Sequence, residues 1–145
     1  MTDHRQLGVD LFNHVWTLLD APERTREQDD DLLHAAHASR HHWGQAVGAG
    51  PEHLARGEWQ ISRVYVVLGR PEPALHHAHR CLEHCDEHAI DDWDLAYAHE
   101  ALARAHALAG SEEEAARHKH LARVAGDAIA DADDREQFEA DWDTL

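Results

Sequence analysis

Histidine is the residue type most able to do chemistry here, with 16 among 145 residues. His34, His37 and His41, with His42 adjacent, recur at spacings of three and four. On a helix those spacings put three imidazoles on one side. Three imidazoles on one side suit a divalent transition metal (zinc, nickel, iron or copper), provided a neighbouring helix completes the ligand set. His14 or Glu58 is the expected completing ligand. A solvated polar face is the plainer reading of the same residues, because clusters arise by chance when histidine is this abundant. A second stripe combines His77, Cys81, His84 and His88, with Cys85 beside it. Here Ala74, Ala78 and Leu82 share the side that carries the cysteines, so the expectation is core packing of two small apolar thiols. Two cysteines four apart on a helix do not suit a structural disulfide. Zinc-protease chemistry, marked by H-x-x-E-H or H-E-x-x-H, is not expected. Ser39 and Ser62 fall mid-helix, where hydroxyls usually bond the preceding turn. No phosphate-binding Gly-rich loop is present.

Composition narrows the partners. Asp and Glu number 29 against 13 Lys and Arg, a formal charge of −16 at pH 7 with histidine neutral. A duplex-binding protein needs a basic face to displace counterions, so nucleic acid is not expected, and neither is an anionic membrane. Full protonation of the histidines would bring the net charge to about zero, which predicts poor solubility around pH 5 to 5.5. The chain opens Met-Thr-Asp-His without an apolar signal region, and no apolar run approaches the roughly 18 residues of a membrane span. The cytoplasm is the expected location.

The elements that must position these residues are all helical. Leu7, Leu11, Val15 and Leu18 share one face of a helix expected over 3–20, with Phe12 and Trp16 widening the stripe. Ala21-Pro22 breaks it. Thr25 to Gln28 reads as a capping box that opens a helix running to about Val47. Gly48 to Pro51 is a stop and a restart. Leu54, Ile61, Val64, Tyr65 and Leu68 define the apolar face of a helix over 52–68, and Gly69 ends it. Pro71 or Pro73 opens the next helix, to about His88. Asp91 or Asp92 caps one that ends at Gly110. Ser111 to Glu114 reads as a second capping box. The acidic residues from Asp131 to Asp134 suit the start of a short helix over 133–141, and the acidic tail as a whole reads as a solvated helix end.

The chain also repeats. Val67 to Leu75 realigns with Leu108 to Ala116 at an offset of 41 residues, which pairs Ile61 with Leu102, Arg63 with Arg104 and His77 with His118. The run Trp59…Tyr65-x-x-Leu68-Gly69-x-x-x-x-Ala74-Leu75-x-x-Ala78 resembles the tetratricopeptide pattern. In that family a small residue lets two helices cross closely and a Gly turns the chain between them. The resemblance covers 52–125 well and 1–48 loosely, with a period longer than the family's 34. It implies an all-α fold: about seven helices, in antiparallel pairs over 3–48, 52–88 and 91–130, stacked as a short right-handed solenoid in one domain. It also implies that the first helix of each pair lines a concave surface. His14, Trp59, Arg63, Tyr97, Glu100 and Arg104 would then form an aromatic and cationic groove.

In such a groove Arg63 and Arg104 would grip a carboxylate or phosphate in bidentate fashion. The bland alternative is that Glu100 and Arg104 form an ordinary (i, i+4) pair. The functional expectation is therefore a binding module for a peptide or a small anionic ligand. The alternatives are a histidine metal site, whether of a metal-binding protein or a metalloenzyme, and self-association as a homodimer through the first helix, with Phe12 and Trp16 at the seam.

Overall fold

The computed structural model describes residues 1–145, and they form seven helices and no strand: α1 (His4–Asp20), α2 (Arg26–Gln45), α3 (Pro51–Val67), α4 (Pro71–Glu87), α5 (Asp92–Leu108), α6 (Glu112–Asp127) and α7 (Ala132–Trp142). The boundaries follow local chemistry. Thr25 and Gln28 complete the capping box at α2. Pro51 and Pro71 occupy first positions of α3 and α4, where a missing N–H costs nothing. Gly69 (φ 74°) and Gly110 (φ 81°) take the left-handed conformation that closes α3 and α5. The Arg70 and Ser111 amides then reach back to Tyr65 O and His106 O, both at 2.9 Å, which satisfies carbonyls the helices leave orphaned. The expected box at Ser111 does not form; no side-chain hydrogen bond caps α6, and Glu112 to Glu114 serve its positive end by charge alone.

Consecutive helices pack as pairs, α1 on α2, α3 on α4 and α5 on α6, and the pairs stack through α2–α3, α4–α5 and α3–α5 contacts. The result is an all-α, solenoid-like stack. No helix is long and apolar enough to cross a membrane. Val15, Leu18, Leu32, Ala35, Ala36, Ile61 and Val64 join the first pair to α3. Ala55, Cys81, Cys85 and Ala98 join α3, α4 and α5, so both cysteines pack as small apolar groups and stay unbridged. α5 buries Ala96, Ala98, Ala101, Leu102, Ala103 and Ala105, which spread around its circumference. A helix apolar on all sides belongs in the middle of a stack.

Small residues also let the helices approach closely. A Cβ on Gly8 would lie 2.8 Å from the Trp43 ring, and one on Gly126 would overlap the Phe138 ring. Ser39 and Ser62 do not bond the preceding turn. Their hydroxyls donate across helix crossings, to Gly8 O and to Ala74 O, both at 2.8 Å. The acidic tail is not a free solvated end either. α7 buries Phe138 against Gly126 and Tyr97 and folds back over α5 and α6.

Candidate functional site: an aromatic cavity bordered by α7

α1, α3, α5 and α7 border an open cavity of about 620 Å³. Helical spacing supplies its walls: Phe12, Trp16 and Asp20 from α1, Arg56, Trp59 and Arg63 from α3, Trp93, Tyr97 and Glu100 from α5, and Asp134, Gln137 and Asp141 from α7. Ala55, Cys81 and Asp94 complete the lining. The rings form a chain of contacts. Phe12 meets Trp16 at 6.5 Å, Trp16 meets Trp59 at 5.6 Å, and Trp59 meets Tyr97 edge-on at 5.5 Å. Trp93 joins Tyr97 at 6.3 Å. These separations lie in the range where aromatic pairs attract through their quadrupoles.

The buried polar groups of the lining are already committed to one another. Glu100 is 1% exposed and takes three donors: Trp59 Nε1 at 3.2 Å, Arg104 Nε, and Arg63 Nη1 at the longer distance of 3.5 Å. Trp59 and Glu100 hold the same place in successive repeats, so their hydrogen bond runs directly along the stack. Arg104 also donates to Asp141 O at 2.9 Å and to Thr144 Oγ1, which ties α7 to α5. Tyr97 donates its hydroxyl to Asp141 Oδ2. Burial, that hydrogen bond and the nearby carboxylates all hold the Tyr97 phenol well above its usual pKa. Arg56 forms a bidentate pair with Asp94, both contacts at 3.0 Å, and lies 4.3 Å over the Trp93 ring.

Of the groove row expected from the repeat, Trp59, Arg63, Tyr97 and Glu100 line the cavity. Arg104 stands just behind them, in a small crevice shared with Trp59, Arg63 and Glu100. His14 is not brought to the cavity. It turns to the α2 side, with Nε2 2.7 Å from Asp31 Oδ2. Phe12 and Trp16, the expected dimer seam, also line the cavity.

The helix-2 histidines do not converge. His37 Nε2 lies 3.0 Å from the Tyr65 hydroxyl, His41 meets the His42 ring edge-on, and His34 is exposed on the same helix. Glu58 is also engaged elsewhere, between His77 Nδ1 at 2.6 Å and Arg40 Nε at 3.2 Å. Burial raises the Glu58 pKa, but the hydrogen bonds and charges of His77 and Arg40 outweigh it and hold the carboxyl below its usual range. His84, Glu87 and His88 read H-x-x-E-H, the order of one zinc-protease class. His84 is buried while Glu87 and His88 are exposed, and the three do not gather their ligating atoms.

The metal-type group that does converge is His106, Glu114 and His118, whose ligating atoms lie within 4.8 Å of one another. Sequence reading passed over it because its members sit on two helices. The repeat offered a signal: His118 aligns with His77, and His106 with Tyr65, and both pairs stack, at 5.6 Å for the histidines and 5.8 Å for Tyr65 on His77. No protein-family model, curated protein or solved structure matches the chain.

Proposed function

We propose that this chain is a helical-repeat binding module of the tetratricopeptide type, whose aromatic cavity receives an organic cation, either a free amine or the basic side chain of a peptide. The observation that carries this reading is the charge inventory around the rings. Five carboxylates (Asp20, Asp94, Glu100, Asp134 and Asp141) face two guanidiniums, Arg56 and Arg63. Both arginines are paired, to Asp94 and to Glu100. An incoming anion would have to break those pairs inside a net-negative site. An ammonium or guanidinium group would meet ring faces and unpaired acidic rim groups, which is the chemistry of cation–π recognition. This reverses the sign of the guest expected from the arginine row alone. The volume of about 620 Å³ suits one drug-sized molecule or one to two side chains.

Isothermal titration with two probes of similar shape, benzyltrimethylammonium and phenylacetate, tests the reading. The cation is expected to bind, and Trp59→Ala to weaken it by about tenfold, since a desolvated cation–π contact is worth up to about 2 kcal/mol. Preference for phenylacetate would refute it, as would cation binding indifferent to Trp59→Ala.

A further inference from the structure

The α5–α6 hairpin carries a second group of side chains, remote from the aromatic cavity, since no residue of α6 lines that cavity. His106 projects from the end of α5, and Glu114 and His118 from the first two turns of α6. His118 is 3% exposed. Its Nδ1 lies 3.1 Å from His99 Nδ1, which fixes the ring and leaves Nε2 facing Glu114 Oε2 at 3.9 Å. His106 stacks on His118 with the ring planes 6° apart. Both ring nitrogens of His106 are buried without any hydrogen-bond partner. An imidazole with two buried, unpartnered nitrogens is costly unless something completes it. Arg117 supplies the remaining clue. Its Nη2 sits between Glu114 Oε2 at 3.0 Å and His118 Nε2 at 3.2 Å. A positive group thus bridges two of the three converging atoms, on a side chain that is 57% exposed and free to swing away.

We propose that His106, Glu114 and His118 bind a divalent transition-metal ion, with zinc the best match, and that the Arg117 guanidinium occupies the ion's place when none is bound. Two imidazole nitrogens and one carboxylate oxygen form a borderline donor set that leaves a coordination position open to water or a fourth ligand. In a tetrahedral site with bonds of about 2.0–2.2 Å, ligand atoms stand roughly 3.4 Å apart. Their present separations, up to 4.8 Å, need a contraction that the half-exposed Glu114 can supply. The His99 contact to the far nitrogen of His118 is the orienting outer bond that metal-bound histidines usually have. The bridging arginine sets the sign of a distinctive effect. An ion must displace a cation from its own ligands, so removing that cation favours binding.

The test uses the full chain, produced without a polyhistidine tag and stripped with a chelator, titrated at pH 7.5 with zinc chloride by calorimetry and with cobalt(II) by visible absorption. One tight equivalent is expected, with the intense d–d bands of four-coordinate cobalt. Glu114→Gln should weaken zinc by at least about tenfold, and His106→Ala by a similar factor or more. Arg117→Ala should tighten it severalfold. The triple variant His34→Ala, His37→Ala, His41→Ala should leave the tight equivalent intact, which separates this site from incidental binding by exposed histidines. Circular dichroism of each variant confirms that the fold is retained. Zinc binding that is unchanged in Glu114→Gln, unchanged or weakened in Arg117→Ala, or lost in the triple variant would overturn the assignment. These outcomes do not depend on whether the aromatic cavity binds a cation.

Discussion

Replacing Glu100 with Gln separates two physical readings of the same residue. As an ordinary (i, i+4) partner of Arg104, Glu100 would contribute about 0.3–0.5 kcal/mol. Its position argues for more. The carboxylate is 1% exposed, and Arg104 is 15% exposed at the side chain, so the pair is screened little by solvent. Trp59 and Arg63 donate to the same carboxylate. The substituted amide would keep one acceptor oxygen, lose the charge, and present an NH₂ group to a donor. Breaking one side of a buried ion pair typically costs about 3–5 kcal/mol. Arg104 keeps Asp141 O and Thr144 Oγ1 as acceptors, so the expected loss is about 2–3 kcal/mol. That is a large share of a domain's usual stability of about 5–15 kcal/mol. Urea denaturation followed by circular dichroism measures it directly. A double-mutant cycle with Arg104→Met should return a coupling energy of at least about 1 kcal/mol. A loss below about 0.5 kcal/mol for Glu100→Gln, with negligible coupling, would refute the claim that this network is structural.

Two further outcomes follow from the same geometry. Burial, followed by the positive charge of Arg117 and the neighbouring His99 and His106, lowers the His118 pKa to about 4, with Glu114 alone opposing. The folded value therefore lies below the unfolded value of about 6.5, so this contribution is complete above pH 6.5 and is lost as pH falls towards 4, by at most about 2 kcal/mol at pH 5. Metal-free protein unfolded by urea at pH 7.5 and at pH 5, together with an NMR titration of the His118 ring, checks it; a His118 ring titrating near 6.5 would contradict it. Gly126→Ala would drive a Cβ into the Phe138 ring, which is 1% exposed. Overpacking, offset in part by the better helix propensity of Ala, should cost about 1–2 kcal/mol and loosen α7. Thermal denaturation and hydrogen exchange at α7 amides read both effects, and unchanged exchange would count against the packing argument.

The helix boundaries were legible because their punctuation is local. Prolines at first positions, glycines just past the ends and the box at Thr25 act within a few residues of themselves. The row Trp59, Arg63, Tyr97 and Glu100 was legible because α3 and α5, the equivalent helices of successive repeats, present the same face. His14 was misplaced because the first pair has a longer connecting loop and aligns weakly with the others. Trp16 takes the position against Trp59 instead. The contribution of α7 could not be read in advance. Asp134, Gln137 and Asp141 look like a solvated acidic end until Phe138 docks on Gly126 and turns them towards the rings. The pairing on which the proposed cationic guest rests is spatial, since nothing along the chain says that Asp94 meets Arg56. The expected solubility minimum needs adjusting for the same reason. His37, His42, His84, His99, His106 and His118 all have pKa values lowered chiefly by burial, so the folded chain reaches zero net charge at a lower pH than free histidines would give.

The tryptophans provide the most direct test of the cavity as a cation site. Three of the five, Trp16, Trp59 and Trp93, line it, while Trp43 and Trp142 lie outside. Titrating ¹⁵N-labelled protein with benzyltrimethylammonium while following the five indole N–H resonances should move the first three together along one saturation curve and leave the other two still. Equal movement of all five, or displacement of Trp43 and Trp142 alone, would contradict binding between α1, α3, α5 and α7.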